Sequence, residues 1–159
     1  NKMTSTGQAC PRMLKHKPPR IAMGLLLAAI IVQRMLPASW PSLPSSATGG
    51  VIIATLGFAI MLRAWWLFRQ RGTAVCPTGR TSSLITSDIY RMTRNPMYLG
   101  IVFILTGIAI GTGGPGYYVA SLSFFLVIDS VFCTFEEQKL TRTYAQAFTR
   151  YKNDVRRWL

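Results

Sequence analysis

Two polar clusters stand at the edges of apolar runs, and their residue types suggest what each can hold. The first is Tyr90-Arg91-Met92-Thr93-Arg94-Asn95-Pro96-Met97-Tyr98-Leu99-Gly100. Asn95 followed by Pro96 reads as an N-cap with proline at the first helical position, so a helix is expected to start there. Its free N–H groups and positive dipole end form a site for a carboxylate or ring nitrogen of a ligand. Arg91 and Arg94 lie about one turn apart in that approach, and Tyr90 and Tyr98 bracket them with aromatic faces. The same residues also suit an ordinary interfacial anchor, because arginine and tyrosine collect at membrane boundaries whatever the function.

The second cluster is Glu136-Glu137, where an apolar run ends. Adjacent carboxylates at the C-terminal end of a spanning helix repel each other and face the negative end of its dipole, so a nearby cation relieves both. A sulfonium and an α-amino group are such cations. Lys139, Arg142 or the arginines of the middle segment can neutralise the pair instead. The chain has 18 Lys and Arg against 5 Asp and Glu, which makes two adjacent acids unusual here. Asp129 is the one acid inside an apolar run, and its place seven residues before Glu136 puts both on one helical face. It either extends a pocket toward the bilayer or forms a buried pair with Arg63. The only histidine is His16, and Cys10, Cys76 and Cys133 lack a Cys-x-x-Cys spacing. No metal centre is expected from that set, and the cysteines read as reduced thiols.

The elements that must position these residues are apolar blocks: Ile21 to Leu36, Val51 to Phe68, Tyr98 to Ile110 and Tyr117 to Phe135. Half the residues are apolar and they come in runs, a membrane composition. The net charge of +13 flanks those runs without aromatic and basic interleaving, so anionic lipid is the expected partner and nucleic acid is not. The connectors Pro37 to Gly50 and Gly111 to Gly116 carry no charge, whereas the others are basic. The reading is therefore an all-α membrane protein of about four transmembrane helices, with the uncharged loops outside and both termini in the cytosol. The run Lys15 to Arg20 and the lack of a small-residue cleavage site before Pro37 mark the first block as a retained span. Residues 1–20 are a basic tail, 21–135 a four-span membrane domain with a cytosolic loop over 69–97, and 136–159 an amphipathic segment. In that segment Leu140, Tyr144, Phe148, Tyr151, Val155 and Trp158 form a stripe at helical spacing, opposite Lys139, Arg142, Arg150, Lys152 and Arg156. Such a helix suits an anionic leaflet or a cover for the cytosolic pocket.

At these residues the chain resembles the integral-membrane methyltransferases, the family of isoprenylcysteine carboxyl methyltransferases and phospholipid N-methyltransferases. The resemblance runs over nearly the whole chain and rests on Leu84-Ile85-Thr86 with Tyr90, Arg94-Asn95-Pro96-x-Tyr98-x-Gly100, and Glu136-Glu137-x-x-Leu140 with Tyr144, Phe148 and Tyr151. Lys17-Pro18-Pro19 and the stretch from Arg71-Gly72-Thr73 through Pro77 are similar to its small bacterial branch. The resemblance implies S-adenosyl-L-methionine at the cytosolic mouth of a bacterial inner-membrane protein. It would be held by Ser83, Leu84, Ile85, Tyr90, Asn95, Pro96, Met97, Tyr98, Glu136 and Glu137. It also implies in-line methyl transfer to a lipophilic or prenylated acceptor entering from the bilayer, with proximity and electrostatic positioning supplying most of the gain.

In this reading Arg94 orients cofactor or acceptor. Glu137 or Asp129 would serve as base for an amine acceptor, and Arg91 as the cation for a carboxylate or thiolate. Four positions depart from the family pattern. Asn95 replaces the usual histidine, Asp88 and Ala145 stand where glycine is usual, and Phe132 takes the place of the arginine that anchors a substrate carboxylate in the eukaryotic isoprenylcysteine enzymes. Two other functions fit less of the sequence. A membrane reductase binding NADPH would use the arginines but would be opposed by the paired glutamates. A lipid-binding scaffold would explain the charge and leave the glutamates idle.

Overall fold

The computed structural model describes residues 18–36, 41–70 and 86–159, and every regular element among them is helical. Helix α1, Pro18–Met35, opens on two prolines in the first turn, where an N–H has no intrahelical partner to lose. Helix α2, Ala47–Gln70, is capped by Ser46, whose Oγ accepts the Gly49 N–H at 3.1 Å. A 3₁₀ turn, Asp88–Arg91, leads toward α3, Pro96–Thr112, which Gly113 ends in the left-handed conformation at φ 69°. Helix α4, Pro115–Val127, passes through a π-turn, Ile128–Cys133, directly into α5, Thr134–Asp154.

Three helical stretches are long and apolar enough to cross a membrane: Pro18–Met35, Ala47–Leu67 and the merged Pro115–Asp154. The fourth apolar helix, α3, has 17 residues, about 25 Å at 1.5 Å per residue, a little less than the ~30 Å hydrocarbon core. Met23, Ile31, Val51, Phe58, Trp66 and Leu122 are all exposed on α1, α2 and α4. An apolar exterior of that extent is stable against lipid and not against water, which makes this an all-α membrane protein as expected.

Helices α2 and α3 pack backbone against backbone. A Cβ at Gly57 would lie 2.6 Å from the Gly100 carbonyl oxygen, and one at Gly107 2.6 Å from that of Gly50. Only glycine permits this approach, which replaces a hydrophobic driving force by close van der Waals contact. The two uncharged loops meet at one end of the bundle, where the Leu43 N–H donates to the Gly113 carbonyl at 2.9 Å and Tyr118 Oη to the Pro44 carbonyl at 3.1 Å. Their sharing an end is what the charge pattern required.

The amphipathic segment departs from expectation in two ways. No break separates it from the membrane domain at 135/136, because the helix runs on through the π-turn. It then kinks at Ala145, φ 38° and ψ −111°, and the chain folds back. Phe148, Tyr151 and Val155 consequently bury against Ala64, Leu67 and Tyr90, with Leu140 and Tyr144 beside them. The stripe therefore packs on protein instead of a leaflet. Trp158 leaves it altogether, joining the other core of Tyr98, Leu105, Phe124, Ile128 and Phe132 and lying 4.9 Å from the Phe125 ring.

Candidate active site at the basic end of the bundle

The two sequence clusters meet where α3 begins and α5 departs. Tyr98 is in the first turn of α3 and buried, and its hydroxyl donates to Glu136 Oε1 at 2.5 Å. Pro96 occupies the first helical position and Asn95 the cap position, as the sequence suggested. The Asn95 side chain, however, makes no capping bond. Its backbone torsions, φ −131° and ψ 55°, aim the amide elsewhere, and Nδ2 donates to the Arg157 carbonyl at 3.3 Å. The first N–H groups of α3 thus lack that side chain as a partner.

The adjacent glutamates are divided. Glu137 is buried and accepts two hydrogen bonds from Arg157, Nε to Oε1 at 2.9 Å and Nη2 to Oε2 at 3.0 Å. Arg94 Nη1 lies 2.9 Å from Glu137 Oε1, and Lys152 Nζ lies 3.7 Å from Oε2. Glu136 is half-buried and turned to the Tyr98 side. The Arg94 contact is an ion pair without hydrogen-bond geometry, so its buried Nε and Nη1 have no acceptor among the described residues. Arg91, one turn earlier, is exposed and separates from Arg94.

Asp129 neither pairs with Arg63 nor lines up with Glu136. Its Oδ1 accepts from Arg157 Nη1 at 3.0 Å and Trp158 Nε1 at 2.9 Å. Arg63 instead pairs with Asp88 on the 3₁₀ turn, through Nε to Oδ1 at 3.3 Å and Nη2 to Oδ2. The π-turn is the physical reason for the shifted register, since its one extra residue turns a seven-residue match into an eight-residue one. Asp129 therefore shares a face with Glu137. Hydrogen bonding to Arg63 holds the Asp88 carboxyl below its ordinary range, and hydrogen bonding to Glu137 and Asp129 raises the Arg157 guanidinium above its own.

Tyr90 is buried beneath the site, its carbonyl accepting from Tyr151 Oη at 2.6 Å. Burial, with the Glu136 charge adding to it, raises the Tyr90 phenol and keeps it neutral. Met97 packs half-buried beside it. Ser83, Leu84 and Ile85 lie outside the described residues. Sequence reasoning missed Arg157 and Trp158 as members of this site, placing Trp158 only on the amphipathic stripe and giving Arg157 no role. Their side-chain hydrogen bonds to the acids span 20 to 29 residues, so no local spacing marks them.

The two departures from the family glycines acquire a structural meaning. Asp88, at φ 61°, and Ala145 are the two non-glycine residues with positive φ among those described. A glycine at either place would meet the backbone requirement without a Cβ penalty. The family model for phospholipid methyltransferase matches residues 46–147 of the 159, from the cap of α2 past the kink in α5. The chain belongs to the phospholipid methyltransferase family. No curated protein and no solved structure matches it. In this family member the matched span holds Tyr90, Asn95 to Tyr98, Asp129, Glu136 and Glu137, and it ends before Arg157. Membership makes the chain a membrane methyltransferase in general terms, and the acceptor is a separate question.

Proposed function

We propose that this phospholipid methyltransferase family member transfers a methyl group from S-adenosyl-L-methionine to a lipophilic, membrane-soluble acceptor, at a site on the cytosolic side of a bacterial inner membrane. The observation that carries this reading is the pairing, at one helix mouth, of a carboxylate fixed by Tyr98 and a guanidinium with two buried, unmet donors. Glu136 accepts from Tyr98, with the Lys139 charge near it, and its carboxylate suits a sulfonium or ammonium. Arg94, whose Nε and Nη1 lack acceptors among the described residues, suits a carboxylate. Those two charges match the two ends of an amino-acid sulfonium, so the residues present fit the cofactor.

When bound, that group supplies a methyl already activated by positive sulfur. What remains for the protein is alignment and exclusion of water. Tyr98 fixes the Glu136 carboxylate by its hydroxyl, and Tyr90 and Met97 close the apolar floor behind it. Glu137 serves as counter-charge to Arg94 and Arg157, so in this reading it orients the site and takes no proton. Asp129 is engaged with Arg157 and Trp158 in the same manner.

The acceptor is read as lipophilic because the site opens from an apolar bundle. A groove of about 310 Å³ between α1 and α4, lined by Leu25, Val32, Leu36, Pro115 and Val119 among others, lies in the half of the bundle near the uncharged loops, away from this site. Phe132 is fully buried in the core where a carboxylate anchor would stand, which favours an amine or thiol over a carboxylate. The exposed Arg142, Arg150 and Arg156 suit an anionic leaflet. Calorimetry on detergent-purified protein, with S-adenosylhomocysteine and NADPH in parallel, tests the reading. Saturable binding of S-adenosylhomocysteine alone is expected, and binding of NADPH alone would replace methyl transfer by reduction. Radiolabelled methyl transfer into a total lipid extract, compared with prenylated thiols, then separates the acceptor classes.

A further inference from the structure

Methyl transfer by Glu136, Tyr98 and Arg94 leaves the cluster behind them without a task. Residues 156–158 return from the kinked helix and touch each element that carries a candidate ligand group. The Arg156 carbonyl accepts the Arg94 N–H at 3.1 Å, and the Arg157 carbonyl accepts Thr93 Oγ1 at 3.0 Å and Asn95 Nδ2 at 3.3 Å. On the other side, the Arg157 guanidinium grips both oxygens of Glu137 and one of Asp129, while Trp158 Nε1 shares that Asp129 oxygen. One side chain thus joins the π-turn to the first turn of α5, and its own backbone joins both to the start of α3.

The register of the π-turn is what this grip reads. In an unbroken α-helix, residues seven apart share a face and residues eight apart are about 80° out of line. With one extra residue in the turn, Asp129 and Glu137 align and Glu136 moves about a third of a turn away, to the side of Tyr98. A guanidinium spanning both carboxylates can form only in that register. It also engages both Glu137 oxygens, including the Oε1 that Arg94 Nη1 approaches at 2.9 Å, which leaves Arg94 with donors to offer.

We infer that Arg157 is a positioning residue for the cofactor site, which it serves by locking the π-turn register and saturating Glu137, so that Glu136 and Arg94 keep their ligand-facing roles. The inference rests on the reading of Glu136 and Arg94 as a cofactor site. Arg157 itself touches no ligand in this scheme. Trp158 supports it through Asp129 and through its ring against Phe125.

The test is calorimetry with S-adenosylhomocysteine on the full chain in detergent, comparing R157Q, R157K, E137Q and the double variant R157Q/E137Q. A misplaced site of this kind loses affinity steeply, so R157Q is expected to bind about tenfold more weakly at unchanged stoichiometry. Lysine keeps the charge but cannot span two carboxylates, so R157K is expected to fall between R157Q and the unaltered chain. In the E137Q background, R157Q is expected to add less than about twofold, because the residue acts through Glu137. A purely structural role lowers the bound fraction or the unfolding temperature and leaves the affinity of each folded molecule unmoved. Unchanged affinity in R157Q overturns the inference, as does an equal loss in both backgrounds. Should R157Q fail to fold, R157K decides: affinity equal to that of the unaltered chain overturns the inference, and weaker affinity supports it. No binding by the unaltered chain overturns the cofactor reading together with this inference, whereas binding by that chain with silent variants overturns this inference alone.

Discussion

The seam between α2 and α3 and the junction of α4 with α5 hold helices together by opposite means. The seam is uncharged, with Gly50, Gly57, Gly100 and Gly107 letting one backbone rest on another. The junction is crowded with ions. Asp129, Glu136 and Glu137 gather there, three of the five acids in the chain, together with Arg94 and Arg157. Close backbone packing gives rigidity at no desolvation cost, whereas charges in an apolar bundle are expensive and persist where a ligand uses them. The contrast teaches that α3 is fixed by its glycine face and so can present its first turn, with Tyr98, to the cluster proposed as the cofactor site.

The largest effect should come from breaking the seam. A Cβ at Gly100 would lie 2.6 Å from the Gly57 oxygen and 2.9 Å from Met61 Cβ, so G100L has no room without separating the helices. It is expected to cost at least about 3 kcal/mol, read as a large fall in the thermal unfolding midpoint in detergent. An unchanged midpoint would mean that the seam is not the rigid half of the comparison.

Next, the two glutamates should part company when each is made an amide. E137Q leaves Arg94 and Arg157 without their shared counter-charge and is expected to cost about 3 kcal/mol of stability. E136Q keeps an acceptor for the Tyr98 hydroxyl, so its stability should stay within about 0.5 kcal/mol. Its affinity for S-adenosylhomocysteine should fall at least about a hundredfold, the usual penalty for removing one of two desolvated opposite charges. If E136Q binds as the unaltered chain does, Glu136 is a solvated surface acid and the junction is merely structural.

The smallest effect sharpens the kink that brings Arg157 back. Ala145 holds φ 38° and ψ −111°, a region natural to glycine and strained for any residue with a Cβ. A145G is expected to stabilise by about 1 kcal/mol, raising the unfolding midpoint by a few degrees without changing cofactor affinity. A lower midpoint would place the strain elsewhere.

Much of this was legible in the sequence because it is governed by local chemistry. Apolar runs interrupted by charged or turn-forming connectors specify helices in lipid, since an unpaired backbone in hydrocarbon is prohibitive. Pro96 after Asn95 marks the start of α3, because proline at the first helical position satisfies a local backbone constraint, and the uncharged connector Gly111 to Gly116 bounds its other end. Even Asp88 and Ala145 stood out as departures from family glycines before their positive φ gave the reason. The π-turn was not legible, as Ile128 to Cys133 contains neither Gly nor Pro to announce it.

What the sequence determined by itself was the membrane class, the helix blocks, the shared end of the uncharged loops and the residue types available for a methyl-transfer site. What only the tertiary structure decided was which acid meets which base. Helical phase accumulates along a chain, so one extra residue in the π-turn was enough to exchange Glu136 for Glu137 beside Asp129. The kink at Ala145 then carried Arg157 back across 20 residues to seal that arrangement. Long-range charge pairing depends on such summed geometry, and residue types or short spacings do not contain it.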